Sequence, residues 1–199
     1  GHMHAPVTYV PVHPSHGREQ PQQMFGLLML VFIRSDEALR VQGAGSVLVP
    51  TGLGGLSGNK GGIAFRLTVA GFPLLLVNLH LPSGHSTSDS KDRTAAFREV
   101  LRGAAQAFAP EELPAPLDRH STFCFGDLNY RLTLPNREVR WRMQCRDWRM
   151  LLAADQLSLQ LGEPSGVYEA WDEADIGFRP TYKYDPGSNT FDSSEKQRA

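Results

Sequence analysis

Apolar positions along this chain follow a strand-like period first and a helix-like one later. "MFGLLMLVFIR" is nearly continuous and predicts a buried strand over Leu27 to Ile33. "SVLVP" at 46–50 predicts a second. In "GIAFRLTVA", Ile63, Phe65, Leu67 and Val69 share one face while Ala64, Arg66 and Thr68 share the other, which is the period of a strand. "GFPLLLVNLHL" is unbroken, as expected for a strand covered on both faces. Gly71 and Phe72 make only a tight link, so these two strands should form a hairpin. The period then changes. Phe97, Val100, Leu101, Ala104, Ala105 and Phe108 form an amphipathic stripe and predict a helix over about 89–108. "APEELPAPLD" is a Pro-rich connection, and "STFCF" reads as another strand. A second helix is expected over about 136–154, with Trp141, Cys145, Trp148 and Leu152 on one face. Its Arg142, Arg146 and Arg149 lie on a flank and read as a solvated face rather than a phosphate site. Strands mixed with covering helices, and no internal repeat, predict an α/β layered sandwich.

Composition narrows the class. At 199 residues the chain is one domain or part of one, and 41% hydrophobic residues can supply a sizeable core. With 20 basic and 21 acidic residues the net charge is −1, which argues against a general nucleic-acid binder but leaves room for a local basic pocket. Cys124 and Cys145 fit no metal or disulfide spacing; buried thiols in a reducing, cytoplasmic setting are expected. No apolar run approaches the ~18 residues needed to cross a membrane. Gly1, His2 and Met3 read as an expression scar. The Pro-, His- and Gln-rich stretch up to residue 23 reads as a flexible tether, His13 and His16 included.

Candidate chemistry sits where two apolar strands stop. Leu74 to Leu79 delivers Asn78 and His80, and Phe123 to Phe125 delivers Asp127 and Asn129. In layered α/β folds strand ends are where ligands sit, because a rigid sheet opens there into solvent. A lone histidine would read as a hydrogen-bonded core group and a lone aspartate after Gly126 as a turn residue. The two ends together point to a site, with His80 and Asp127 expected at one sheet edge. A third element, "TGLGGLSGNKGG" at 51–62, holds six glycines with Asn59 and Lys60. Glycine lets backbone N–H groups approach an anion and lysine adds charge, although a flexible loop explains the stretch equally well. It is not the GxxxxGK[ST] phosphate loop. A fourth, "RPTYKYDPGSNTFDSSEKQR", carries Tyr182, Lys183, Lys196 and Arg198, which alone would read as solvated surface.

Taken in order, "TGLGGLSGNKGG", "VNLHLPSGH", "FCFGDLNYRL" and "PTYKYDPGSNTFDSSEKQR" resemble the inositol polyphosphate 5-phosphatases of the endonuclease/exonuclease/phosphatase superfamily. The resemblance runs from Met24 to Ala199. GDxN is shared across the superfamily; the GNKG stretch and "TYKYD…SEKQR" carry the finer match. Cys124 stands where the family often has Trp. The resemblance implies a two-sheet sandwich flanked by helices. The family's Trp-Asn strand and its Gln-Glu pair, whose Glu binds Mg²⁺, have no counterpart before Leu27. Its "PAWCDR" and Ser-Asp-His motifs do not appear after the fourth element. The expectation is therefore a partial catalytic domain over 24–199, incomplete at both ends, with the main metal ligand missing.

What the resemblance implies chemically is a Mg²⁺-dependent phosphomonoesterase. Asp127 would accept a proton from the attacking water. Asn129 would hold phosphoryl oxygens or orient that water, and His80 would donate to the scissile phosphate. Asn59 is a substrate-binding position in this reading, and Lys60, Tyr182, Lys183, Lys196 and Arg198 match positions that surround the 4-phosphate in the family; Arg131 is a phosphate contact or a structural ion pair. The implied partner is a phosphoinositide headgroup or a soluble inositol polyphosphate, with no nucleic acid. A peripheral membrane contact through Leu53 and Leu56 is weighed against their packing inward. Two other readings stand beside this one: another superfamily hydrolase, such as an abasic-site nuclease or sphingomyelinase, and a non-catalytic fragment that binds anions.

Overall fold

The computed structural model describes residues 7–14, 22–52, 57–84, 86–108 and 120–194, and the chain divides into two compact units, Gly1–Asn129 and Tyr130–Ala199. The first unit is built on one four-stranded sheet. Its strands are β5 (Val41–Gly52), β6 (Ser57–Val69), β7 (Phe72–His80) and β8 (Ser121–Asp127), side by side in that order. β5–β6 and β6–β7 are antiparallel; β7–β8 is parallel. The expected β6–β7 hairpin is there, and its turn places Ala70 and Gly71 at positive φ.

Alternation along β6 and β7 determines what covers each face of the sheet. Ile63, Phe65 and Leu67 face a small β-ribbon, β2 (Gln22–Met24) paired with β3 (Leu27–Met29), and share a core with Met24, Leu27 and Met29. Leu74 and Leu76 of β7 pack against the same core. The opposite face lies under α1 (Thr87–Phe108), whose Phe97, Val100 and Ala104 are buried. Contact there is so close that a Cβ on Gly62 would stand 2.5 Å from Val100 and 3.0 Å from Leu79. Arg66, on this face, donates to the Phe108 carbonyl at 2.9 Å and lies over the Phe108 ring, satisfying the C-terminal end of α1. The predicted helix thus forms, two residues longer at its start. Ser86 and Asp89 cap it reciprocally: the Ser86 N–H donates to Asp89 Oδ2 at 2.7 Å and the Asp89 N–H to Ser86 Oγ at 3.2 Å.

Several expectations need correction. The single strand expected over 27–33 is two, β3 and β4 (Phe32–Arg34), because the chain changes partner at Leu30. β4 pairs with β1 (Tyr9–Pro11), so part of the expected tether is strand. Much of the expected glycine loop is strand as well, since β6 begins at Ser57; residues 53–56, with Leu53 and Leu56, lie outside the described residues. Gly61 is there for close packing: its φ is +141° and a Cβ would meet the Val49 carbonyl at 2.1 Å.

In the second unit the helix expected over 136–154 is broken into α2 (Asn136–Gln144) and α3 (Trp148–Leu152). Arg146 takes φ +55°, and Asp147 starts a new helix by accepting from the Met150 N–H. Arg142 Nη1 donates to that same carboxylate at 2.8 Å and its Nη2 to Glu138 at 2.6 Å, so Arg142 holds the break together. The break also rotates the buried face. Val139, Met143 and Leu151 are buried, whereas Trp141 and Cys145 are exposed, contrary to the sequence expectation. Cys124 is half-buried, and burial pushes its thiol pKa up to about 12. α4 (Gln156–Leu161) is capped by Asp155, which accepts from the Ser158 N–H at 2.8 Å. The whole is mixed α/β, as expected, and among the described residues no helix is long and apolar enough to cross a membrane.

Candidate active site

Parallel pairing of β7 with β8 puts His80 directly opposite Asp127 in register. Their side chains meet at the sheet edge, His80 Nε2 to Asp127 Oδ2 at 3.7 Å. β6 adds a third group: Gly61 pairs with His80, and the preceding Lys60 brings its Nζ within 2.7 Å of His80 Nε2. Three residues distant in sequence are thus gathered by strand register alone. Gly126 makes the approach of β8 to β7 feasible, since a Cβ there would lie 2.2 Å from the Leu79 carbonyl and its φ is +121°.

Beyond β8 the chain is held by its own polar groups. The Leu81 N–H donates to the Asp127 carbonyl at 3.0 Å, and the Asn129 N–H to Asp127 Oδ1 at 3.1 Å, an Asx turn. Asn129 sits at φ +56°, a conformation that asparagine tolerates. Its Nδ2 donates to the Leu81 carbonyl at 2.9 Å, which fixes the amide beside the carboxylate. One oxygen of Asp127 is therefore tied to the turn, the other faces His80, and the side chain is well exposed.

His80 is held neutral. Burial lowers its pKa first, the Lys60 ammonium lowers it further, and the Asp127 carboxylate opposes both. With Lys60 donating to Nε2, the proton of the neutral ring belongs on Nδ1. Nδ1 is buried with no hydrogen-bond partner among the described residues, covered by the β2–β3 turn, where a Cβ on Gly26 would come within 3.5 Å. A ring whose Nε2 already faces an ammonium is arranged to exchange partners when an anion draws that ammonium away.

A residue that the sequence reading passed over supports this corner. Arg93, fully buried, extends Nη1 from α1 to the Gly84 carbonyl at 3.2 Å and the Pro82 carbonyl at 3.4 Å. It therefore pins the segment that follows His80. The signal was in the stripe: Arg93 lies one turn before Phe97 on the apolar face, where a charge must have a partner.

The other expected site residues fall in both units. Asn59 lies in β6 next to Lys60, exposed. Arg131 belongs to the second unit, where its N–H donates to Gln156 Oε1 and its carbonyl accepts from the Gln156 N–H. Tyr182 is exposed, and Lys183 Nζ stands 3.6 Å from the buried Asp192 carboxylate. Lys196 and Arg198 lie outside the described residues. Among the described residues no group of three or more His, Cys, Asp or Glu side chains converges as a metal site, so these residues do not build one by themselves.

The family model for endonuclease/exonuclease/phosphatase family 2 matches residues 9–199. The chain belongs to that family. Within it, the chain lies with the catalytic domains of the inositol polyphosphate 5-phosphatases and corresponds to a part of them. It is 37% identical over 180 residues to the polyphosphatidylinositol phosphatase INP53 of Saccharomyces cerevisiae, covering 89% of this chain and 16% of that protein. Against human synaptojanin-1 it is 36% identical, covering 89% and 11%. Among solved structures it matches the inositol polyphosphate 5-phosphatase domain of Spsynaptojanin in complex with inositol (1,4)-bisphosphate and calcium ion. That match has a TM-score of 0.76 at 26% identity and covers 98% of this chain and 52% of that one. The chain thus spans about half of that solved domain, and the match begins well before Met24.

Proposed function

We propose that the chain carries the catalytic strand ends of an inositol polyphosphate 5-phosphatase, acting on phosphoinositides or soluble inositol polyphosphates. The observation that carries this reading is the register pair His80–Asp127, with Lys60 against the same imidazole. Phosphomonoester hydrolysis needs an oriented water and compensation of charge on the phosphoryl oxygens. Asp127 takes a proton from the water as its oxygen bonds to phosphorus and the inositol oxygen leaves. Lys60 is drawn to the phosphate, which frees His80 Nε2 to bind a proton and donate to the phosphoryl group. Asn129, fixed by the Leu81 carbonyl, positions that water. Tyr182, Lys183, Lys196, Arg198 and Arg131 are proposed to select substrate, the basic ones through a neighbouring 4-phosphate. A divalent cation, Mg²⁺ in the finer form of this reading, would need donors that the described residues do not gather.

The reading is tested by assaying inositol phosphates that carry a 5-phosphate, with abasic DNA in parallel, on a catalytic domain containing this chain. Asp127→Asn should lower kcat by at least ~10²-fold, the low end for a general base, while substrate still binds. Near-normal turnover in that variant, or preference for the DNA, would overturn it.

A further inference from the structure

The second unit contains a cleft of about 630 Å³ between α2, the start of α3 and the segments around Arg179 and Phe191. That size falls in the range of small-molecule sites. Arg140, Arg146 and Arg179 line it, and among the described residues no carboxylate does. Nearby acids are engaged elsewhere: Asp147 with Arg142, and Asp192 with Lys183 and the Ser194 N–H. Three guanidiniums share one cavity, with no carboxylate among the described residues of its wall.

Two of them are pre-arranged. Arg140 donates from Nε to Asn136 at 2.8 Å and from Nη2 to the Asp192 carbonyl at 2.6 Å, which fixes its plane and leaves Nη1 toward other partners. Arg179 lies over the Tyr184 ring, 5.5 Å from its centroid, and Tyr184 stacks on Phe191 at 4.4 Å. Arg146, exposed at the helix break, makes no side-chain hydrogen bond or ion pair among the described residues. Met143, Trp148 and Phe191 give the rest of the wall an apolar part, beside Gln144 and Gly177. Planar guanidiniums match phosphate oxygens in pairs, and an aromatic wall suits a ring or chain carrying the phosphate.

We propose that this cleft binds a phosphate ester, its phosphate held by Arg140, Arg146 and Arg179 and its organic body against Trp148 and Phe191. The site uses none of the groups at the β7–β8 edge, so it stands or falls independently of the phosphatase reading.

The test uses phenyl phosphate as soluble probe, inorganic phosphate as the same anion without a body, and phosphatidylcholine vesicles with or without phosphatidic acid. All are run in chelator to prevent turnover. Phenyl phosphate should saturate the protein, bind more tightly than inorganic phosphate and shift the indole N–H resonance of Trp148. Arg146→Gln and Arg179→Gln, both at exposed positions, should each weaken it about 10-fold, the loss of one charge-assisted hydrogen bond. Capture by phosphatidic acid vesicles without phenyl phosphate binding, again lost with the arginines, supports the site and assigns the ester to a lipid. Binding indifferent to both arginines, equal affinity for inorganic phosphate, or no saturation by either probe overturns it.

Discussion

Lys60 and Lys183 are both expected from the sequence to bind substrate, yet their surroundings differ in kind. Lys60 lies against an imidazole, 2.7 Å from His80 Nε2, and depresses that ring's affinity for a proton. Lys183 lies 3.6 Å from the carboxylate of Asp192, which is only 1% exposed. One cation crowds a group that could itself become positive; the other compensates a buried acid. An anion arriving at the first relieves a conflict. Arriving at the second, it competes with an existing pair. Under the proposed function Lys60 is poised for the scissile end, whereas Lys183 is partly structural.

The largest expected effect tests the backbone beneath this contrast. Gly126→Ala at the sheet edge combines left-handed strain with a clash against the Leu79 carbonyl and should cost about 3 kcal/mol or more. Gly187→Ala in the second unit, at φ +68° with nothing within 4 Å of the new Cβ, should cost about 1–2 kcal/mol. Urea unfolding of both variants measures the difference, and equal losses would mean the β7–β8 approach is not the tighter constraint. Next in size, Lys183→Ala should destabilise by about 1–2 kcal/mol, since it removes the ammonium facing a buried carboxylate that keeps the Ser194 N–H, while the lysine itself is partly solvated. Lys60→Met should stay within about 0.5 kcal/mol, and Asp192→Asn should recover part of the Lys183→Ala loss. A Lys183→Ala protein as stable as the parent would put Lys183 back with Lys60.

The smallest effect is electrostatic. His80 should titrate below the ordinary histidine value of 6.5. Its pKa should rise in Lys60→Met and fall further in Asp127→Asn, read by proton NMR of the ring. Because the fold favours the neutral ring, the stability this contributes is present above pH 6.5 and is lost as pH falls through the depressed pKa. A midpoint unmoved by Lys60→Met would show that the short Lys60–His80 contact does not persist in solution.

These contrasts also explain what could be read from the sequence. The meeting of His80 and Asp127 was legible because two unbroken apolar runs ended in polar residues and parallel register did the rest. The β6–β7 hairpin and α1 were legible for the same reason: a clean period with packing on both sides. The break at Cys145 to Asp147 was not, since Trp141, Cys145, Trp148 and Leu152 do keep helical spacing. The decisive facts are Asp147 accepting from the Met150 N–H and Arg142 bridging the break, which periodicity does not register. The glycines of β6 misled in another way. Composition suggested a loop around an anion, while Gly61 and Gly62 are small because Val49 and Val100 leave no volume for a side chain.

The parallel pairing of β7 with β8 also sets an order of assembly. β5, β6 and β7 form a meander whose turns can close locally. β8 can join only after the forty residues from Leu81 to His120, α1 among them, have looped back over the sheet. Loops of that length close late, because their entropy is lost before any distant contact forms. The His80–Asp127 pair at the sheet edge is thus among the last features gained in refolding. Amides of β8 should exchange with solvent ahead of those in β6, so the chain can shed its reactive geometry through a partial opening that leaves the meander intact.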